Sequence, residues 1–234
     1  MKSDRAKVLH EICGRPMIEY VMRTAIEVAG RNVVVVIGHQ AEMVKKAVNA
    51  VGEAHFALQE KQLGTGHAVL SALPFIPVGV DQVVILCGDV PLIKAATIQG
   101  LSVEHNCHDR DVSLLAVCVD DPKGYGRIIF DGLGELNAIV EEKDANPSQK
   151  LINTINTGIY IIKRNFLEQA LPLLRSDNAQ NEVYLTDIIG IGYRQKRKIG
   201  VVIGDDSKEI IGVNSRDDLQ IAESLMKQRD GEKS

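Results

Sequence analysis

The sequence predicts an α/β protein with a mostly parallel mixed sheet, helices on both of its faces and a nucleotide-binding, Rossmann-like topology. Short β-branched apolar runs alternate with stretches of helical periodicity along the 234 residues, which is typical of strands joined by crossover helices. Several runs are continuously apolar, as expected for strands buried on both faces. A chain of this length is ample for one extended core.

The alternation gives each element in order. The predicted strands are 33–37, 55–59, 83–87, 113–119, 138–142, 156–162 and 199–203. The first predicted helix begins at Pro16 and ends at Gly30. The other predicted helices cover 41–50, 66–73, 167–174, 187–194 and 214–227. Two short apolar segments flank the turn residues 131–134, which predicts a small antiparallel insertion. A doubly wound domain usually opens with a buried strand and a glycine-rich turn, so we expect that a first strand is missing here.

Composition excludes several classes of function. The net charge of −4 and the aromatic content of 4%, without tryptophan, argue against nucleic-acid binding. No apolar run approaches the roughly 20 residues of a membrane span, and the first residues lack the apolar stretch of a secretory signal. The cysteines form no C-x-x-C pair and indicate a reducing, cytoplasmic compartment; they are Cys13, Cys87, Cys107 and Cys118. We therefore expect a small-molecule partner, no nucleic acid and no membrane.

The segment 83–92 is the most informative motif. A buried strand ends at Gly88, and Asp89 follows at its carboxyl edge, where open α/β sheets bind ligands. An aspartate there can hold Mg²⁺ together with substrate phosphates. The plainer interpretation is a turn aspartate before Pro91.

The segment 58–68 runs from a strand through a glycine-rich turn into a helix. Gly64 and Gly66 allow close backbone approach, and free N–H groups at the helix start suit a nucleotide. A simple helix-entry turn is the alternative.

The remaining candidate segments are weaker individually. A Gly-Tyr-Gly turn lies within 121–128, an acidic cluster follows a strand at 141–144, and polar residues begin a strand at 156–159. Each also fits a turn or a solvated face. The donors at 105–109 crowd one short stretch without the separated pairs of a zinc site, so we expect a solvated loop there. No arrangement typical of a nucleophilic enzyme is evident.

Seven segments in this order resemble the uridylyltransferase half of the bifunctional bacterial enzyme that makes UDP-N-acetylglucosamine. They are 7–10, 59–68, 88–92, 121–128, 139–144, 155–159 and 212–216, and 181–187 matches as well. The resemblance covers nearly the whole chain. It implies that the phosphate of N-acetylglucosamine 1-phosphate attacks the α-phosphorus of UTP and that pyrophosphate leaves, in a pathway that supplies a peptidoglycan precursor for the cell wall.

The resemblance also implies the roles of individual residues. Mg²⁺ is expected on Asp89 and Asn214, with the Lys7 cation against the phosphates, and these three form the catalytic set. The nucleotide is expected to contact Lys7, Gln59, Gly64, Thr65, Cys87, Gly88 and Asp89. The sugar is expected to contact Gly126, Glu141, Asn156 and Thr157.

The chain departs from the family pattern in three places. The opening strand and glycine-rich phosphate loop are represented only by Met1, Ala6 stands where proline is usual, and the acetyltransferase half is absent. We therefore expect an N-terminally incomplete nucleotidyltransferase domain over 1–228, a charged tail over 229–234, no acetyl transfer, and a monomer or weak homo-oligomer. Two alternatives remain: a non-catalytic sugar-nucleotide-binding module, and a related nucleotidyltransferase for another sugar or base.

Overall fold

A computed structural model describes residues 4–231, apart from the side chain of Asp230. The strands are β1 Glu11–Ile12, β2 Arg15–Pro16, β3 Val34–Ile37, β4 His55–Leu58, β5 Gln82–Ile85, β6 Val112–Cys118, β7 Arg127–Phe130, β8 Leu136–Val140, β9 Thr154–Lys163 and β10 Ile199–Gly204. The α-helices are α1 Met17–Ala29, α2 Ala41–Asn49, α3 Thr65–Ala72, α4 Ala95–Cys107, α5 Pro147–Lys150, α6 Arg164–Ala170, α7 Asp187–Arg194 and α8 Arg216–Gly231. Short 3₁₀ helices cover Lys7–Leu9, Leu73–Phe75, Leu171–Leu173 and Ser207–Ile210.

The main sheet is mixed and has six strands. Its order is β10-β6-β9-β7-β8, and β5 pairs with β9 beside β7. Strands β5, β6, β7 and β10 run in one direction, whereas β8 and β9 run in the other. A separate parallel pair joins β3 and β4. The prediction of an α/β fold with a mixed sheet and helices is thus confirmed.

Most element predictions are confirmed within a few residues. The predicted hairpin is present as β7–β8, and Arg127 opposite Ile155 attaches it to the main sheet. The expectation about Met1 falls outside the described residues. The expected tail begins inside α8, since Arg229 donates to the Leu92 carbonyl at 3.4 Å. Residues 232–234 also lie outside the described part.

The expectation of a solvated loop at 105–109 is wrong. Residues 105–107 form the last turn of α4, which had no predicted helix. His105 is completely buried, and its Nδ1 lies 3.0 Å from the Ser113 hydroxyl of β6. Burial lowers the pKa of His105, so this side chain is a neutral core residue that joins helix to sheet.

Strand β9 organises the core because its alternate residues face opposite sides of the sheet. Tyr160 and Ile162 pack with α6 and α7, whereas Ile159 and Ile161 pack with α4. A third cluster joins α1 and α2 to β3. The core therefore has helices on both faces. None of the helices within residues 4–231 is long and apolar enough to cross a membrane.

A β-bulge interrupts the pairing of β6 with β9. The register shifts between Leu114 and Ala116, so that residues 157–159 of β9 lie opposite Leu115 alone. Gly158 has a φ of +77° at this point, a conformation that favours glycine. Bulges re-aim neighbouring groups, and this one places Gly158 against the Cys87 sulfur just beyond β5.

Candidate active site

Three side chains from distant parts of the chain meet beyond the carboxyl end of β5. The ammonium of Lys7 contacts a carboxylate oxygen of Asp89 and lies 2.6 Å from Oδ1 of Asn214. Lys7 begins a 3₁₀ helix, Asp89 follows β5, and Asn214 precedes α8. We call Lys7, Asp89 and Asn214 the cation cluster. The structure thus brings together the three residues expected to form the catalytic set.

The backbone holds the cation cluster together. The Val213 N–H donates to the Asp89 carbonyl at 2.9 Å. Asp218 accepts from the Asn214 and Ser215 N–H groups at 2.9 and 2.7 Å. The Nδ2 of Asn214 donates to the Gly212 carbonyl at 3.1 Å, so its Oδ1 is the atom presented to Lys7.

The oxygen donors of the cation cluster fit a magnesium ion. A carboxylate oxygen and an amide oxygen converge on one positive group, and both are hard ligands of the kind that Mg²⁺ prefers. Mg²⁺ commonly takes one or two protein ligands and completes its shell with water and substrate phosphates. Within residues 4–231 no group of three or more His, Cys, Asp or Glu side chains is arranged for a metal. A metal here would therefore depend on the substrate for further ligands.

The glycine loop, residues 59–66, is packed differently from the sequence expectation. The Gly66 N–H donates to the Val183 carbonyl at 2.8 Å, and the Val183 N–H donates to Leu63 at 2.7 Å. A Cβ on Gly64 would lie 2.6 Å from the Val183 carbonyl oxygen. These glycines permit a close approach of backbone to backbone, and the Gly66 N–H is not free for a nucleotide.

Thr65 and Gln59, which were both expected to contact the nucleotide, have hydrogen-bond partners within the protein. The Thr65 hydroxyl accepts from the Leu185 N–H at 3.0 Å. The Nε2 of Gln59 donates to the Gly64 carbonyl at 3.1 Å and lies 2.9 Å from Nδ1 of His67. The Nε2 group of Gln59 is thereby held by the protein, whereas its Oε1 is the atom without these partners. Neither residue contacts the cation cluster directly.

A second polar group forms around Gly126, and we call Gly126, Glu141 and Asn156 the amide cluster. The Asn156 N–H donates to the Gly126 carbonyl at 2.8 Å. A Cβ on Gly126 would lie 3.4 Å from both carboxylate oxygens of Glu141. The Thr186 hydroxyl donates to Glu141 at 3.1 Å. Burial raises the pKa of Glu141, against the effect of that hydrogen bond.

Thr157 is separated from the amide cluster by the alternation of β9. It is buried, and its hydroxyl donates to the Leu115 carbonyl at 2.8 Å and accepts from the Ile159 N–H at 3.2 Å. Both partners lie in or beside the bulge. The side chain therefore forms hydrogen bonds with backbone groups at the bulge, which gives it a structural explanation.

Cys87 and Gly88 connect the two clusters along the end of β5. The Cys87 thiol lies 3.5 Å from the Gly158 carbonyl oxygen, and a Cβ on Gly158 would lie 2.5 Å from the sulfur. Burial raises the pKa of Cys87 to about 12, which makes the thiol a poor nucleophile. A Cβ on Gly88 would lie 3.2 Å from Val8, so this glycine allows the Lys7 segment to pack closely.

Sequence reasoning assigned no role to several residues that shape the site. Residues 182–186, which we call the seam, contact the glycine loop through Val183 and Leu185 and the amide cluster through Thr186. Arg127 is 1% exposed and pairs with Glu142 at 2.7 Å, which supports the turn before Gly126. The resemblance of 181–187 was the signal for the seam; no pattern indicated the buried arginine.

The fold and the site define a class of protein that handles nucleotides and phosphates at the carboxyl edge of a mixed α/β sheet. A family model described as nucleotidyl transferase matches residues 2–210. The chain belongs to this nucleotidyltransferase family.

The curated relatives narrow the comparison. The chain is 44% identical over 229 residues to the bifunctional protein GlmU of Trichlorobacter lovleyi, covering 98% of this chain and 50% of the relative. It is 46% identical over 233 residues to the protein of the same name from Caldanaerobacter subterraneus subsp. tengcongensis, covering 100% and 50%. The chain thus spans about half the length of these relatives.

Solved structures support the fold. CMP:2-keto-3-deoxy-manno-octonic acid synthetase, complexed with CTP, matches with a TM-score of 0.71 at 22% identity, covering 95% of this chain and 92% of that one. UDP-glucose pyrophosphorylase, complexed with UDP-glucose, matches with a TM-score of 0.71 at 18% identity, covering 95% and 90%. At this identity the likeness establishes the fold alone.

Proposed function

We propose that the protein transfers UMP from UTP to N-acetyl-α-D-glucosamine 1-phosphate, giving UDP-N-acetylglucosamine and pyrophosphate. The observation that carries the proposal is the convergence of Lys7, Asp89 and Asn214 on one point at the carboxyl end of β5. The relatives named GlmU support uridylyl transfer over other members of the family. The reaction would take place in the cytoplasm, in a monomer or weak homo-oligomer, and supply a cell wall precursor.

The chemistry requires positioning and neutralisation of charge. A phosphate oxygen of the sugar phosphate forms a bond to the α-phosphorus of UTP as the bond to the pyrophosphate oxygen breaks. Lys7 supplies a positive charge to the phosphates, and Asp89 and Asn214 would hold Mg²⁺. The metal, when bound, offsets negative charge on phosphate oxygens. Lys7 and Mg²⁺ would compete for the same oxygens, so we expect the ammonium to move onto a phosphate when the substrate binds.

The other residues bind and orient the two substrates. Gln59, Gly64 and Thr65 would contact uracil through the side chains and backbone of the glycine loop, and Cys87 and Gly88 would form the floor. The amide cluster would bind the sugar. We leave Thr157 out of the ligand contacts because its hydroxyl has two partners inside the protein.

The test is pyrophosphate release by the purified chain with UTP and N-acetylglucosamine 1-phosphate. We expect Mg²⁺-dependent turnover that is lost in Asp89→Asn and kept in Asp205→Asn. Asp205 is an exposed aspartate that directly follows β10, at the same edge of the sheet but three strands away. It therefore controls for the loss of a surface carboxylate.

A comparison of substrates makes the test specific for UTP and N-acetylglucosamine 1-phosphate. Parallel reactions with CTP, dTTP, glucose 1-phosphate and galactose 1-phosphate should be slower than the proposed pair. Faster turnover of another pair would identify a related nucleotidyltransferase. Calorimetric binding of UDP-N-acetylglucosamine without turnover of any pair would overturn the proposal in favour of a binding module.

A further inference from the structure

The side-chain amide of Asn156 has a defined orientation. Its Oδ1 accepts a hydrogen bond from the Gly158 N–H at 3.1 Å and another from the Tyr160 hydroxyl at 3.0 Å. An amide oxygen can accept both bonds, whereas an amide NH₂ group can accept neither. The network therefore assigns oxygen to this position and leaves Nδ2 on the other side. Within residues 4–231 no group accepts from Nδ2.

Tyr160 is built into the core in a way that fixes its hydroxyl. The side chain is 1% exposed and packs among the residues on the α6–α7 face of the sheet. Burial raises the pKa of Tyr160 well above 10, so the phenol remains a donor at neutral pH. A buried tyrosine hydroxyl normally has a hydrogen-bond partner, and here that partner is Oδ1 of Asn156.

The Glu141 carboxylate of the amide cluster accepts hydrogen bonds, whereas Nδ2 of Asn156 donates them. Glu141 is an acceptor when ionised, and one of its oxygens already accepts from Thr186 at 3.1 Å. Gly126 connects the two residues, since the backbone N–H of Asn156 donates to its carbonyl and a Cβ on it would lie 3.4 Å from both Glu141 oxygens. The same Cβ would lie 2.9 Å from Ile139, so only glycine fits beside the carboxylate. A sugar hydroxyl can accept from an N–H and donate to a carboxylate at the same time.

We infer that Tyr160 is a positioning residue, because its hydroxyl fixes the Asn156 amide and leaves Nδ2 to donate to one hydroxyl group of the sugar 1-phosphate. This inference rests on the proposed function and deepens it. It assigns the donating atom to Nδ2 of Asn156. A sugar that lacks this hydroxyl leaves Nδ2 unpaired in the half-buried site, which is a basis for discrimination.

The first experiment compares Tyr160→Phe with Tyr193→Phe. Tyr193 donates to Asp131 at 2.7 Å in the turn of the β7–β8 hairpin, and no hydrogen bond joins its side chain to the amide cluster. We expect Tyr160→Phe to raise KM for the sugar phosphate about five- to tenfold, with KM for UTP changed less than about twofold. Tyr193→Phe should change neither constant. Equal changes of both KM values, or no change in either, in Tyr160→Phe would overturn the positioning role.

The second experiment tests the polarity of the amide. Asn156→Asp keeps an oxygen for Tyr160 and Gly158 but replaces the donor Nδ2 with an acceptor. We expect Asn156→Asp to weaken binding of the sugar phosphate more than Tyr160→Phe does. If Asn156 presented oxygen to the sugar instead, the aspartate would be the milder change, and that result would contradict the assignment.

The third experiment identifies the hydroxyl. N-acetylglucosamine 1-phosphates lacking the 3-, 4- or 6-hydroxyl are compared with wild type and Tyr160→Phe. The analogue without the recognised hydroxyl should bind both proteins equally, because the interaction is already absent. If Tyr160→Phe weakens the binding of all three analogues by the same factor, recognition of a single hydroxyl is overturned.

Failure of this inference can be told apart from failure of the proposed function. A wild-type protein that transfers no uridylyl group overturns the function. A wild-type protein that is active, with Tyr160→Phe indistinguishable from it, overturns only the inference.

Discussion

The cation cluster and the amide cluster lie at the two sides of the end of β5 and are built by contrasting means. The cation cluster consists of an ion pair and an amide, with the Lys7 and Asp89 side chains 38% and 27% exposed. The amide cluster is half-buried and is held by hydrogen bonds from a bulged strand and from a tyrosine in the core. The first is easily rearranged by a charged ligand, whereas the second is fixed before a ligand arrives.

The comparison shows how one site can serve two different needs. Exposed ion pairs contribute little to stability and are screened by salt, so phosphates and a metal can replace them at small cost. Neutral hydrogen bonds within a packed core orient their groups without rearrangement, which favours discrimination between similar sugars. Mutations in the two clusters should therefore differ in what they change.

The largest effect is expected from the cation cluster. Lys7→Ala should lower kcat/KM for pyrophosphate release about 100- to 1000-fold, as removal of a charge-stabilising group does in other enzymes. The melting temperature should stay nearly the same because the ion pair is partly exposed to solvent. Lys143→Ala, which removes an exposed lysine beyond β8, is the control and should leave kcat/KM unchanged. A large fall in melting temperature for Lys7→Ala would show that the pair serves stability.

An intermediate effect is expected at Asp218, which holds the backbone of Asn214 and Ser215. Burial opposes ionisation of this group, but hydrogen bonds from Ser215 and Asn214 and the charge of Lys7 lower the pKa of Asp218. Asp218→Asn should raise the Mg²⁺ concentration for half-maximal activity about tenfold, as other changes behind metal ligands do.

Asp217 provides the matched control for Asp218. It is exposed and lies next to Asp218 in the first turn of α8, so Asp217→Asn removes the same charge from the same turn. The requirement for Mg²⁺ should be unchanged in this variant. Equal effects of the two variants would attribute the change to net charge rather than to the position of Asn214.

The smallest effect on activity is expected at Thr157, although it is adjacent to Asn156. Thr157→Val removes the hydrogen bonds that join the hydroxyl to the Leu115 carbonyl and the Ile159 N–H, which should cost about 2 kcal/mol of unfolding free energy. Denaturant titration measures this loss, and both KM values should stay within about twofold of wild type. Thr154→Val in the same strand is the control for stability. A selective rise of KM for the sugar phosphate in Thr157→Val would show instead that Thr157 contacts the sugar.

The strands and helices were predictable where apolar periodicity is strong. Helix α7 was predicted with its observed ends, Asp187 and Arg194. Helix α4 was not, because its buried positions are interrupted by polar residues and because His105 is polar yet completely buried. Its burial depends on the Ser113 hydroxyl of a neighbouring strand, a tertiary contact that local sequence does not reveal.

The candidate site was predictable in its residues more than in its contacts. Three expected residues meet in the cation cluster, and their spacing of up to 207 positions in the chain is bridged only by the fold. The role of Thr157 depends on the bulge opposite Leu115, and the partner of the Gly66 N–H lies in the distant seam. Register shifts and long-range backbone pairing are set by packing, not by residue type.

The seam also joins the glycine loop to the amide cluster. Gly66 and Leu63 share backbone hydrogen bonds with Val183, while Thr186 of the same short segment donates to Glu141. Detaching the seam breaks the contacts of the glycine loop and of the amide cluster in one event, which makes them part of one cooperative unit. A ligand that retains the seam from one side slows its opening on the other. Hydrogen exchange at the Gly66 and Val183 amides would then report the same free energy of opening.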